Sequence, residues 1–179
     1  RGSVSGALIE RAPCSVLVTP SAAPMWSKRV LVALDPQATD LSPVSLAAAI
    51  AAVEEGLQWR QSPTYTDAVL GEGFSANYGW AEIIGPNGFF QGDDFLLGLL
   101  MLGPHCHYRD HYHPAPELYW PLTGMTEWRK GICAFEIKAA GSAIWHPSLM
   151  LHATRTSDAP LLTVWCWTRD TAIRARLAQ

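Results

Sequence analysis

From Tyr78 to the end of the chain, short apolar and aromatic runs alternate with turn residues at the spacing of an all-β domain. The runs 78–84, 95–102, 117–122, 126–129, 133–138, 143–146 and 161–168 are four to eight residues long and rich in branched and aromatic side chains. Gly85-Pro86-Asn87-Gly88 and Ala139-Ala140-Gly141 punctuate them. Seven short strands so spaced predict a double-sheet roll or barrel. Tyr78 and Trp80 share strand parity, which turns both toward the barrel interior. Upstream, 40–59 predicts a helix: Asp40 or Ser42 can cap it, Pro43 fits its first turn, and an Ala/Leu/Val-rich run leads to Gly56. Residues 58–77 are loop-rich, and the tail after Asp170 predicts a short helix. The expected fold is mainly β with an N-terminal helical segment.

Composition narrows the function classes. Half of the chain (49%) is hydrophobic and 16% is charged, which excludes a disordered polar segment. A formal charge of −3 leaves no basic footprint for nucleic acid. No apolar run reaches the length of a membrane span, since 95–102 is strand-sized. Residues 1–25 lack a basic start followed by a clean apolar stretch, so no signal peptide is expected. The cysteines (Cys14, Cys106, Cys133 and Cys166) form no C-x-x-C pair and predict a reduced, cytoplasmic protein. Cys133 and Cys166 fall in apolar runs and read as small core residues, whereas Cys106, between His105 and His107, is a candidate stray metal ligand.

The chemistry concentrates in one segment. All six histidines lie between His105 and His152. His111 and His113 are one residue apart and share a face on a strand. Glu117 follows the Pro114-Ala115-Pro116 bend and can swing back to meet them, and His152 from another strand closes the set. Imidazoles with one carboxylate suit a divalent transition metal (Zn, Fe, Mn or Ni) far better than Ca or Mg. His146 is a rival to His152, or a partner orienting a ligand through its other nitrogen. His105 and His107 form a further H-x-H pair, but the position four residues after His107 is His111 rather than a carboxylate.

This arrangement resembles the cupin family, whose first motif is G-x5-H-x-H-x3-E-x6-G and whose second is G-x5-P-x-G-x2-H-x3-N. His111, His113, Glu117 and Gly124 match the first, although seven residues rather than five separate Gly103 from His111. Gly141, Pro147 and His152 match the second, with Leu149 in place of its second glycine and Thr156 in place of its asparagine. The resemblance implies a double-stranded β-helix (jelly-roll barrel) over residues 40–179. Residues 1–39 form a separate arm. Within it, residues 2–18 resemble the closing helix and strand of universal stress proteins, and 28–35 resemble their opening strand.

A narrower resemblance covers 58–170. The blocks 74–86, 107–124 and 160–167 look like the cupin-type dimethylsulfoniopropionate (DMSP) lyases, which split a small zwitterionic sulfonium into dimethyl sulfide and acrylate using a bound divalent metal. The resemblance rests especially on Tyr108, three residues before the first ligand, and Tyr119, two residues after Glu117. It implies that both line the site and that one is the base. Strand parity favours Tyr119, which shares the face of Glu117. The sulfonium calls for aromatic faces, for which Tyr78, Trp80 and Trp128 are the candidates, with Trp145 and Trp165 behind them. Two alternatives use the same ligands: an Fe(II)-dependent cupin dioxygenase, and a ligand-sensing cupin with no catalytic role. A homodimer is compatible with either.

Overall fold

The structure is a computed structural model that describes residues 42–51 and 54–178. The arm 1–39, its universal-stress-like character and the cap at Asp40 lie outside the described residues. From Pro43 onward the chain forms one unit. Helix α1 (Pro43–Ala51) opens it, and a one-turn helix α2 (Asp67–Leu70) interrupts the loop before the strands. The helix predicted over 40–59 is shorter than expected, because Glu54–Gly56 form a 3-10 turn and Arg60 is already bridged to Trp80.

Ten strands follow: β1 (Tyr78–Ile84), β2 (Leu96–Leu102), β3 (His107–Tyr112), β4 (Glu117–Pro121), β5 (Met125–Lys130), β6 (Glu136–Ala139), β7 (Ile144–His146), β8 (His152–Arg155), β9 (Leu161–Trp167) and β10 (Arg176–Leu177). They build two five-stranded antiparallel sheets, ordered β1-β2-β9-β4-β7 and β10-β3-β8-β5-β6. The inner faces share one core, in which Leu100, Tyr119 and Trp165 of the first sheet meet Tyr108 and Trp128 of the second. The outer face of the first sheet buries Leu99, Leu122 and Val164 against Leu46, Ala47 and Ile50 of α1. Each such buried aliphatic side chain contributes about 1.5–3 kcal/mol, so the helix closes a second hydrophobic layer. Among the described residues no helix is long and apolar enough to cross a membrane.

Every predicted strand is present within a few residues, and three more exist. β3 and β8, which the histidine pattern placed on strands but no apolar run marks, carry His, Tyr, Arg, Asp and Thr because their inward side is polar, and β3 ends at Tyr112, so His113 lies just past it. The tail is not helical: Asp170 takes φ +55°, which a helix cannot continue, and Arg176 and Leu177 pair with Tyr112 and His111. Cys133 is exposed, in a turn after β5, rather than a core residue. Of the 133–138 run, Phe135 is half-buried under the guanidinium groups of Arg129 and Arg155, 4.7 and 4.0 Å from its ring centre. Cys166 is buried as expected.

The two departures from the second motif have distinct outcomes. Thr156, at the asparagine position, ties two backbone segments: its Oγ1 accepts from the Cys106 amide (2.8 Å) and donates to the Gly103 carbonyl (2.7 Å). Leu149 occupies the left-handed region (φ +61°) that its motif reserves for glycine, while its amide donates to the His113 carbonyl. A leucine there carries strain of about 1–2 kcal/mol, and its side chain is 60% exposed and gains little in return. Leu149→Gly, after the entropy cost of glycine, is expected to raise the melting temperature by about 2–4 °C in calorimetry. A fall would show that the leucine side chain packs in a way that outweighs the strain.

Candidate functional site

Both sheets supply the histidine cluster. On the second, His111 of β3 lies directly opposite His152 of β8. On the first, Glu117 of β4 lies opposite His146 of β7 on one side and Trp167 of β9 on the other. His113 follows the end of β3. All five side chains, the four histidines and Glu117, are buried. Between Tyr108 and His111 the β3–β8 register slips, two residues of β3 facing one of β8. This bulge reverses parity. Tyr108, expected in an approach loop, therefore sits on the strand and points inward, stacked on His111 with ring centres 3.9 Å apart.

The imidazoles are oriented by the backbone. His111 Nδ1 lies 2.9 Å from the Arg109 carbonyl, His113 Nδ1 2.9 Å from that of Ala115, and His152 Nδ1 2.7 Å from that of Met150. Carbonyls only accept, so each Nδ1 carries the proton and each Nε2 presents a lone pair. His113 Nε2 and His152 Nε2 lie 3.1 and 3.2 Å from Glu117 Oε2. Lone pairs facing a carboxylate at that range make a donor set that a shared cation would satisfy. Among the described residues, His152 Nε2 has no hydrogen bond of sound geometry and neither nitrogen of His146 has a partner. His111, His113 and His152 form one group able to hold a metal ion, and Glu117, His146 and His152 form a second that shares His152. His146 thus joins the cluster directly, its ring stacked 4.2 Å from His152.

Electrostatics follow from burial. His111 is held well below the usual imidazole range by desolvation and by His152, and His146 falls to about 3 for the same two reasons. Burial works to raise Glu117, but the neighbouring His113 and His152 outweigh it and hold the carboxyl below the usual carboxylate range. Its other oxygen, Oε1, accepts from Trp167 Nε1 at 2.7 Å. Tyr119 is raised well above the ordinary phenol range by desolvation, by the Glu117 charge and by its hydrogen bond to that carboxylate. Tyr108 is raised by desolvation and by the neighbouring tyrosines.

A cavity of about 470 Å³ opens onto the cluster, and Glu117, Tyr108 and Tyr119 form part of its wall. Tyr78 and Trp80 line it as their parity predicts, and so do Trp165 and Trp167. Trp128 instead backs Tyr119 from the core, ring centres 4.9 Å apart, and does not reach the cavity wall. Trp145 is 44% exposed. Cys106 is a buried thiol pushed up to about 11 by desolvation and belongs to neither ligand group. His105 pairs with exposed Asp158, and His107 lies on the outer face against Phe135, so neither approaches the cluster. Sequence reasoning missed Tyr65, which comes from the 58–77 loop to line the cavity and shares a hydrogen bond with Tyr108. It also passed over Trp167 and Glu82, although β9 parity (Thr163, Trp165, Trp167) and β1 parity (Tyr78, Trp80, Glu82) would have found both.

Comparison with known proteins bears on this site. The family model for dimethylsulfoniopropionate lyase matches residues 8–163. The dimethylsulfoniopropionate lyase DddQ of Ruegeria pomeroyi is 30% identical over 140 residues, which are 78% of this chain and 69% of that protein. The crystal structure of DddQ from that organism superposes with a TM-score of 0.70 at 28% identity, covering 90% of this chain and 79% of the other. A cupin-superfamily sugar phosphate isomerase from Silicibacter pomeroyi, 17% identical with a TM-score of 0.56 over 70% of this chain and 80% of that one, shares the fold.

The Trp167–Glu117 hydrogen bond gives a test of the site's construction. Trp167→Phe keeps the ring and removes the donor, leaving Glu117 Oε1 short of a partner in the interior. A loss of about 1–3 kcal/mol is expected in urea unfolding of the metal-free protein. An unchanged midpoint would mean that water reaches that oxygen.

Proposed function

The chain belongs to the dimethylsulfoniopropionate lyase family, and on that premise we propose that it cleaves DMSP by β-elimination into dimethyl sulfide and acrylate, with a divalent metal and a tyrosine base. The observation that carries this reading is the joining of two features: buried imidazoles with Nε2 lone pairs turned inward, and an aromatic cavity whose wall includes Glu117, Tyr119 and Tyr108.

His111, His113, Glu117 and His152 would hold the metal, and the convergence of unprotonated Nε2 atoms on an ionised carboxylate is the donor set that Zn, Fe, Mn or Ni accepts. A divalent ion held there supplies the positive charge that the substrate carboxylate, the enolate-like transition state and a tyrosine phenolate all need. Tyr119 takes the proton from the carbon next to the carboxylate. The released electron pair becomes the carbon–carbon double bond, and the carbon–sulfur bond breaks with its pair going to sulfur, so a cation leaves as neutral dimethyl sulfide. Tyr119 takes that proton as the phenolate, and the hydroxyl that the transfer creates is directed toward Glu117, which accepts it. Tyr108, held by Tyr65 and stacked on His111, positions the carboxylate end.

Headspace gas chromatography over metal-reconstituted protein and DMSP, with an EDTA-treated control, tests the reading. Metal-dependent dimethyl sulfide with equal acrylate is the expected result, and no gas from metal-loaded protein would overturn it. His113→Ala and Glu117→Ala are expected to lose the ion, read by plasma mass spectrometry of the dialysed protein. Tyr119→Phe should keep the ion and lose about 10²–10⁴-fold in turnover. Near-normal turnover of that variant would move the base role to Tyr108.

A further inference from the structure

A zwitterion has two ends, and the histidine cluster accounts for one. The face of β1 that carries Tyr78 and Trp80 continues to Glu82, whose side chain also lines the cavity. Glu82 is only 7% exposed. Its Oε2 accepts the Asn87 amide at 2.8 Å, and among the described residues no basic side chain lies within ion-pair distance of it. A buried carboxylate without a cation is costly, and side chains of that kind are usually paired. Here the carboxylate faces a cavity proposed to receive a permanent cation.

The strand register places Glu82 in line with the reacting end. Glu82 is opposite Gly98, Gly98 is opposite Trp165, and Trp165 is opposite Tyr119. Three strand spacings, about 14 Å between backbones, separate the two ends of that row, and the inward side chains shorten the gap. Gly98 makes room for the Trp165 indole, because a Cβ there would lie 2.6 Å from that ring. The indole therefore lies over Gly98, between Tyr119 and Glu82. Trp80, two residues from Glu82 on the same face, meets Trp165 edge-on at 6.5 Å and 75°. Two indoles and a carboxylate make a cage for an onium group.

We infer that Glu82, which shares the cavity wall with the edge-to-face pair of Trp80 and Trp165, binds the cationic end of the substrate and sets the preference for onium compounds over neutral thioethers, an inference that rests on the lyase reading for the identity of its ligand. The physics makes a specific demand on the kinetics. The sulfonium loses its charge as the carbon–sulfur bond breaks, so Glu82 favours the bound substrate more than the transition state. Its removal should raise KM and leave kcat unchanged or higher. A carboxylate kept only to hold the Gly85–Gly88 turn would behave otherwise, since a glutamine oxygen can accept the Asn87 amide equally well.

The test is calorimetric titration of the metal-loaded protein with two unreactive probes: the trimethylammonium analogue of DMSP and its tert-butyl isostere, alike in shape and differing in charge. The wild-type protein is expected to bind the ammonium compound about tenfold tighter or more, and Glu82→Gln to lose that preference without weakening the tert-butyl compound. In turnover, the variant should show a KM for DMSP about tenfold higher with kcat preserved. An equal preference in both proteins, or no preference in the wild type, overturns the assignment whatever the variant's stability. If the wild type makes no dimethyl sulfide yet shows the charge preference and Glu82→Gln abolishes it, the cation site stands and the lyase reading alone fails.

Discussion

One ionised carboxylate inside the barrel constrains everything around it. Glu117 is buried, and its two oxygens are held by groups from three other segments: Trp167 on β9, His113 past the end of β3, and His152 on β8. A charge in that environment survives only with its full set of partners. The partners in turn fix the pairing register, because a slip by one residue would carry Glu117 to the outer face and leave three imidazoles converging on nothing. The backbone carbonyls of Arg109, Ala115 and Met150 lock each ring before any ligand arrives. The site is thus rigid by construction, and the fold bears the cost of its polar interior through the apolar layer under α1 and the aromatic core beside it.

What was legible in the sequence follows from what shaped each strand. Where burial sets the pattern, the apolar runs announce themselves, and β1, β2, β4 and β9 appear at nearly the expected bounds. Period-two parity placed Tyr119 beside Glu117 and turned Tyr78 and Trp80 inward, because those strands are regular. β3 and β8 left no apolar run for the opposite reason: their inward positions are histidines, tyrosine and threonine, so only the spacing of the ligands marked them as strands. The bulge after Tyr108 inserts a residue that no spacing rule anticipates, yet it brings the tyrosine onto His111. The tail reads as helical by composition and pairs as a strand because Asp170 turns the chain and the edge of β3 is open to it.

Leu149 and Thr156 show how a motif can depart in letter and hold in geometry. The turn before His152 keeps the left-handed backbone of the glycine it replaces, at a cost in strain. The hydroxyl of Thr156 ties the Gly103 and Cys106 backbone in the place of an amide side chain. Both substitutions leave His152 opposite His111, the one relation that the second motif has to deliver. Residue identity at a motif position is therefore weaker evidence than the backbone conformation or hydrogen bond for which the residue is kept.

Recognition of a small zwitterion inside a β-barrel raises a difficulty of its own. Antiparallel sheets have little net dipole, so the fold offers no field along the cavity, and polarity has to come from side chains. Aromatic faces alone attract a sulfonium from any direction and do not distinguish one end of the cavity from the other. A carboxylate at one end and a divalent cation site at the other would fix the substrate's direction, and only one direction brings its acidic proton to Tyr119. The carboxylate near the sulfonium must also be weak enough to release a leaving group that turns neutral. Glu82 would suit that balance, because the Asn87 amide already occupies one of its oxygens and the register sets Trp165 between it and Tyr119. On the proposed reading, the same strand face that packs the barrel would order the charges along it, and orientation would come from register rather than from a dedicated loop.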